Sequence, residues 1–255
     1  MNGYLTLTRK ELRESLATYR VLIAAAVFLI AGISGPLLTH MLPDLIRHST
    51  TGNIKIIVGK QTVVDAVDAY LSNMAQLPIL AAILLAMGAV AEERAHGVGA
   101  MVLSRPIARS AYLLAKLTGY GLVLLGALAL GAIAAFYYIA LLFAGARLGP
   151  YLAINLGLAV TLLDVLAITL LCGTLLPSGV AAGGVAFVLF IALSTLPALW
   201  SPLGDNLPMS ITGHAHALLS GAWGAGDLLG PVLGGLLLAA VCSGAACLAL
   251  ARREV

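Results

Sequence analysis

Charge is what this chain most lacks: Lys, Arg, Asp and Glu together make up 10% of its 255 residues, against about 25% in a soluble globular domain. So few charges cannot furnish a water-facing surface, which excludes a soluble enzyme. Nucleic-acid binding is excluded too, because the basic residues are scattered over short segments with no aromatic interleaving. Cysteine is just as scarce. Cys172, Cys242 and Cys247 all fall inside apolar runs, so no disulfide framework is available. Also missing is the alternating apolar–polar period of an outer-membrane strand.

What the chain has is apolar length. Hydrophobic residues make up 61%, gathered in runs long enough to cross a hydrocarbon core of roughly 30 Å at 1.5 Å per helical residue. Backbone groups in lipid must be satisfied within their own segment, so an all-α membrane protein is expected. Six spans are read, at about 21–38, 74–91, 113–144, 151–176, 180–200 and 228–250, forming a single transmembrane domain over 1–255. The first is not a cleaved signal peptide, since an amphipathic stretch precedes it and no small-residue cleavage site follows. With the N-terminus inside, ten Lys and Arg fall on inner segments and four on outer ones. That bias puts both termini in the cytoplasm of a multi-pass protein of the cell or inner membrane. Trp200 and Trp223 then fall near the outer interface, where indole is favoured.

Residues Leu5 to Tyr19 read as a surface helix, with Leu5, Leu12, Leu16 and Tyr19 on one face and Arg9, Lys10, Arg13 and Glu14 largely elsewhere. The first outer segment, Thr39 to Asn73, is the longest polar stretch. Within it Val63, Val64, Val67, Tyr70 and Leu71 mark a short amphipathic helix, which Thr62 caps with Asp65 in the capping-box position. Asp65 and Asp68 read as a solvated face. Gly179-x3-Gly183, Ala182-x3-Ala186, Gly230-x3-Gly234 and Ala240-x3-Gly244 have the spacing for close helix approach. Asp164 is the one acid in the middle of a span. Burying it costs roughly 2.5–3.5 kcal/mol on insertion scales, and such a group marks a functional site by default. It is a candidate for the translocation path, with Thr161 or Thr169 as polar company.

Several chemistries can be tested and set aside. The nearest approach to a nucleotide-binding loop, Gly52 to Gly59-Lys60-Gln61, has the wrong gap and no hydroxyl after the lysine. Glu93-x-x-His96 lacks the first histidine of a zinc-protease helix. Glu92-Glu93 is followed by Gly97 where a prenyl-processing membrane protease needs arginine. Gly32-Ile33-Ser34-Gly35 has the form of a rhomboid nucleophile string, but no span supplies a histidine to pair with Ser34. His214-x-His216 falls short of the three or four ligands a metal site needs. No catalytic residue and no metal site are therefore assigned.

The remaining feature is a charge-rich island between the second and third spans. Glu92, Glu93 and Arg94 end one span, Gly97 and Gly99 break the helix, and Val98, Met101, Val102 and Leu103 form an apolar patch. Ser104-Arg105-Pro106 then turns the chain, and Ile107 to Lys116 begins the next helix. A short amphipathic helix with apolar knobs and a charged rim suits docking into a groove on a soluble partner.

With these residues in place the chain resembles the permease subunits of type-2 ABC exporters. There the second span runs into Glu-Arg-x-x-Gly-Thr, a coupling helix, Ser-Arg-Pro-x-Ser-Arg and a helix ending in Gly-Lys. Here the string reads Glu93-Arg94-Ala95-His96-Gly97-Val98, then Ser104-Arg105-Pro106-Ile107-Ala108-Arg109, then Ala115-Lys116, with Lys10-Glu11-Leu12 for the family's opening Lys-Glu-Leu. The departures are Val98 for threonine, Ala108 for serine and Ala115 for glycine. The resemblance implies six spans with an N-terminal elbow helix and a cytoplasmic coupling helix. It implies a second permease copy or a homologous permease, and separate ATPase subunits that bind ATP and Mg, leaving no cofactor and no catalysis on this chain. Partner coupling is then expected of Lys10, Glu11, Glu92, Glu93, Arg94, Gly97, Arg105, Pro106 and Arg109. The readings that compete with it are an ion-coupled secondary transporter using Asp164 and a membrane scaffold or mechanotransducer.

Overall fold

Apolar runs of this length leave the backbone one economical solution, the helix. The computed structural model describes residues 2–49, 61–95, 109–199, 204–224 and 226–252, and every regular element among them is helical. In chain order these are α1 (Asn2–Ala17), α2 (Arg20–Ser49), α3 (Val63–Met74), α4 (Leu77–Ala86) and α5 (Gly88–Ala95). Then follow α6 (Arg109–Leu142), α7 (Leu148–Leu175), α8 (Gly179–Leu199), α9 (Met209–Gly213), α10 (Ala215–Ser220) and α11 (Leu229–Arg252). Six stretches are long and apolar enough to cross a membrane: α2, the α3–α5 run, α6, α7, α8 and α11. The protein is thus an all-α membrane protein with six spanning helices.

Two spans differ from the sequence expectation. The first continues past Leu38 through Pro36 and Pro43 to Ser49, where a polar segment from Thr39 was expected. Each proline removes one ladder bond, and the hydroxyls nearby bond to other carbonyls of the same helix. Ser34 Oγ donates to the Ala31 carbonyl at 3.2 Å, and Thr39 Oγ1 to the Gly35 carbonyl at 2.9 Å. The second span is segmented, with breaks at Ala75–Gln76 and at Met87. Its first segment is the expected amphipathic helix. The Thr62 N–H donates to Asp65 Oδ2 at 2.7 Å and the Asp65 N–H to Thr62 Oγ1 at 3.4 Å, closing the capping box. Asp65 and Asp68 are exposed, while Val67, Tyr70 and Leu71 are buried.

α7 is the central helix. Ile154, Leu158, Leu162, Leu166, Ile168 and Leu170 are all buried, and a helix that is apolar all round belongs in the middle of a bundle. Between α3, α6 and α7 the polar groups are satisfied among themselves. Tyr70 Oη donates to Asn155 Oδ1 at 2.6 Å, and Tyr151 Oη donates to the Ala132 carbonyl at 2.8 Å. α8 and α11 leave long apolar side chains on the outside, among them Val180, Val188, Leu233, Leu237 and Leu248. In a bilayer that surface meets acyl chains.

A close backbone-to-backbone helix crossing lies outside the x3-spaced small-residue strings singled out in the sequence. α2 meets α6 at Gly32 and Gly131. A Cβ on Gly32 would fall 2.5 Å from the Gly131 carbonyl oxygen, and one on Gly131 2.5 Å from that of Phe28. Gly35 presses on α3 in the same way, its Cβ position 2.6 Å from the Tyr70 nitrogen. The Gly-Ile-Ser-Gly string is therefore a packing device, and Ser34 Oγ accepts a bond from Asn73 Nδ2 at 2.9 Å. Of the strings singled out, Gly179 and Gly183 touch Gly88 and Met87, Gly230 and Gly234 touch Asn206, and Gly244 faces open space.

Gly126 lies on the same helix as Gly131 but has nothing within 4 Å of its Cβ position. Gly131→Ala should destabilise the detergent-solubilised protein by about 1–3 kcal/mol, as overpacking does. Gly126→Ala should stabilise it by roughly 0.5–1 kcal/mol through helix propensity. Denaturant titration followed by circular dichroism reads both, and equal effects at the two positions would contradict the crossing.

Candidate functional site

α1 turns against the bundle the face that its sequence makes polar. Tyr4, Thr8, Glu11 and Ser15 recur at helical spacing. Tyr4 Oη donates to Thr118 Oγ1 at 3.2 Å, the Thr8 hydroxyl lies 3.4 Å from the same oxygen, and Glu11 and Ser15 are buried. Leu5, Leu16 and Tyr19 point outward, as suits a helix lying in a membrane interface with its apolar side toward lipid. A left-handed residue, Tyr19 at φ 58°, turns the chain from α1 into α2.

At its closest approach to α1, α6 presents Gly119, which has no side chain. A Cβ on Gly119 would lie 2.8 Å from Glu11 Cβ. This close approach carries the Glu11 carboxylate to Lys116, one turn back on α6. Lys116 is 1% exposed and Glu11 3%. The ammonium lies 3.2 Å from Glu11 Oε1 and 2.9 Å from Glu93 Oε1, the latter from the end of α5. Tyr112 Oη donates to the other Glu93 oxygen, and its ring lies 5.1 Å from the Lys116 ammonium. Lys10, half-exposed, stands 3.1 Å from Glu14, 3.4 Å from Glu93 and 3.5 Å from Glu11. Arg20 donates to Tyr120 Oη at 2.5 Å and lies 3.9 Å from Glu14. Three carboxylates and three cations thus share one cluster, joining α1, α2, α5 and α6. Glu11, Glu14 and Glu93 approach closely enough to suggest a cation site, but the Lys10 and Lys116 ammonium groups already stand among them.

Partial burial works against the charge of Lys10, but Glu11, Glu14 and Glu93 outweigh it and hold the ammonium above its ordinary range. A raised lysine value means that, while the carboxylates are ionised, the pairing contributes below the unfolded lysine range and is lost as strong base titrates the folded group; acid that protonates the carboxylates removes it as well.

Glu92, next in the chain to Glu93, points elsewhere. Its Oε1 lies 3.1 Å from the Cβ position of Gly179, the first residue of α8. A helix N-terminus favours negative charge. Gly88, one turn earlier on α5, gives the carboxylate room, since a Cβ there would fall 2.6 Å from it. Glu14, Arg20, Glu92, Glu93 and Tyr120 line an open cleft of about 190 Å³ at this end of the bundle.

Of the residues singled out in the sequence, Lys10, Glu11, Glu92 and Glu93 are thus brought together. Arg94 lies near the end of α5 and Arg109 opens α6. Gly97, Arg105 and Pro106 lie outside the described residues. Asp164 takes no part in these ion pairs and is fully buried on α7. The hydroxyls of Thr161 and Thr169 are used within α7, on the Gly157 and Val165 carbonyls at 2.9 and 2.7 Å. His214 stacks on Trp223 with centroids 4.3 Å apart, and its Nδ1 lies 2.9 Å from the Ser210 carbonyl. Lys116, Tyr112, Glu14, Arg20 and Gly119 were not singled out as site residues. The available signal was Lys116 itself, a lysine inside an apolar run that needs a partner.

Replacing Lys116 by Met leaves Glu11 and Glu93 without their central cation and should cost about 3–5 kcal/mol, as breaking a buried pair does. Lys10→Met removes only a half-exposed cation and should cost less than about 1 kcal/mol. Thermal unfolding in detergent, read by size-exclusion after heating, should separate the two.

The sequence was also compared with known proteins. A family model described as ABC-2 family transporter protein matches residues 5–221. The uncharacterized transmembrane protein YxlG of Bacillus subtilis (strain 168) is 29% identical over 227 residues, which cover 87% of this chain and 87% of that protein. The family match takes in the ion cluster and five of the six apolar crossings. This chain is a membrane transport component and belongs to the ABC-2 family of transporter proteins.

Proposed function

We propose that the chain is the permease subunit of an ATP-driven export complex. Two copies, or one copy with a homologous permease, form the translocation path across the inner membrane, with both termini in the cytoplasm. Separate ATPase subunits bind ATP and Mg and carry out the hydrolysis, and this chain is non-catalytic. Family membership supports a transport role. The observation that carries the coupling is the ion cluster. Glu92 and Glu93 hold the end of α5 to α1, α6 and α8 immediately before segment 96–108, and Lys116 holds the start of α6 just after it.

In this reading Arg94, Gly97, Arg105, Pro106 and Arg109 engage the ATPase directly. Lys10, Glu11, Glu92 and Glu93 act behind them as positioning residues, because Glu11 is buried and Glu93 is committed to Lys116 and Tyr112. Energetic coupling travels through packed elements and charge networks. A push on segment 96–108 is passed to four helices at once instead of being absorbed by a loose loop. Asp164 is the polar group of the translocation path.

Co-expression with the cognate ATPase tests this. Arg105→Ala with Arg109→Ala should reduce co-purification by about tenfold, the loss of a charged contact at an interface. Lys116→Met should keep the ATPase bound but abolish the permease-dependent change in its hydrolysis rate. Retention of full binding by the double-arginine variant, or cargo movement by the purified chain without any ATPase, would overturn the reading. Orientation is checked with Ser104→Cys in a background free of the three native cysteines. A membrane-impermeant maleimide should label it in inverted vesicles and leave it untouched in intact cells.

A further inference from the structure

Asp164 is 0% exposed, and neither of its carboxylate oxygens has a hydrogen-bond partner among the described residues. The elements around it offer no cation. α7 and α9 contain no Lys, Arg or His, and α11 has only Arg252 in its last turn. Lys116 on α6 is already held by Glu11 and Glu93. The nearest polar hydrogen on α11, the Ala239 N–H, belongs to that helix's own ladder. A carboxyl kept in such a place must be matched from outside the chain, by a proton or by a cationic ligand.

The surroundings have the shape for the second. Gly235 of α11 covers the carboxylate without a side chain: its Cβ position lies 3.1 Å from Asp164 Oδ2 and 2.9 Å from Pro208 Cγ, at the entry to α9. Beside this α7–α11 seam, between α11 and α6, runs an apolar groove of about 510 Å³, bounded by Leu117 of α6, Leu163 of α7, and Leu236, Ala240 and Gly244 of α11. Leu163 is the chain neighbour of Asp164, and Leu236 that of Gly235. The one polar side chain among its lining is that of Ser243, whose hydroxyl is also buried without a partner among the described residues. A cavity of this size is in the range that holds a small ligand, and a few convergent polar groups in an apolar wall fix a ligand's orientation.

We infer that the α7–α11 seam binds a cationic amphiphile, with its charged amine or ammonium on Asp164 and its apolar body in the groove past Ser243. The inference rests on the permease reading for its role as a cargo site, but the binding event does not require the ATPase. In this conformation Gly235 and Pro208 seal the carboxylate, so loading requires α11 to shift along a seam where only a glycine separates it from the acid.

The test is equilibrium binding of radiolabelled decyltrimethylammonium to the full chain in lipid nanodiscs, with empty nanodiscs subtracted. Wild type should bind saturably. Asp164→Asn should weaken binding by at least about tenfold, the effect of losing one charge pair, and Asp164→Glu should retain most of it. Ala240→Trp, which fills the groove and leaves the acid intact, should weaken it comparably. Absence of saturable binding to wild type, or wild-type affinity in Asp164→Asn, would overturn the inference. Full binding by Ala240→Trp would overturn the place given to the apolar body. Co-purification of the same variants with the ATPase reports separately on the permease reading. Loss of capture with binding intact counts against that reading alone, and loss of binding with capture intact counts against the seam alone.

Discussion

Burying one ammonium at the foot of α6 constrains everything built around it. Lys116 sits where neither water nor lipid headgroup reaches it, and an unmatched charge there would cost several kcal/mol. Its two carboxylates come from residues 105 positions earlier on α1 and 23 earlier on α5. Meeting them fixes where α1 crosses α6, which requires the bare surface at Gly119, and how α5 rotates about its axis. The outward face of α1 follows from this. With Glu11 and its polar neighbours turned inward, Leu5 and Leu16 are left facing out, toward hydrocarbon. A helix that would look inside-out in water is correctly oriented at a membrane interface.

The bundle handles its two deepest sets of charge in opposite ways. Around Lys116 each charge finds a counter-charge between 2.9 and 3.9 Å away, so the cluster is a fixed joint with little reason to rearrange. At Asp164 the described residues supply no counter-charge, and the covering helix presents a glycine. Polarity that is matched internally holds elements together, while polarity left unmatched is available to a ligand. The same division separates the helices. α7 is wrapped by protein, while α8 and α11 keep much of their apolar surface outside.

Much of this architecture was legible in the residues. Run length and hydrophobicity gave the six crossings, because a bilayer enforces both. Thr62 and Asp65 gave the start of α3, since capping is a local interaction between residues three apart. The ion cluster was harder to see. Its pairs span distances in sequence that no local pattern encodes, and Lys10, Glu11, Glu92 and Glu93 read equally well as a surface waiting for a partner. The continuation of α2 past Leu38 was hidden by the polar residues from Thr39 onward and by Pro43, although one proline takes away a single ladder bond. The Gly32–Gly131 crossing was invisible for a related reason. Small-residue spacing within one helix does not say which helix it faces: Gly32 stood in a string read for its serine, and Gly131 in none.

The adjacency of Glu92 and Glu93 sets a strict phase on α5. Neighbouring positions on a helix diverge by about 100°, and here that angle sends one carboxylate to the start of α8 and the other to Lys116. Interchange with glutamine at either place would remove a single anchor. An indel of one residue between Gly88 and Glu92 would instead rotate both carboxylates away from their targets together, so the length of that stretch is under tighter geometric control than its composition.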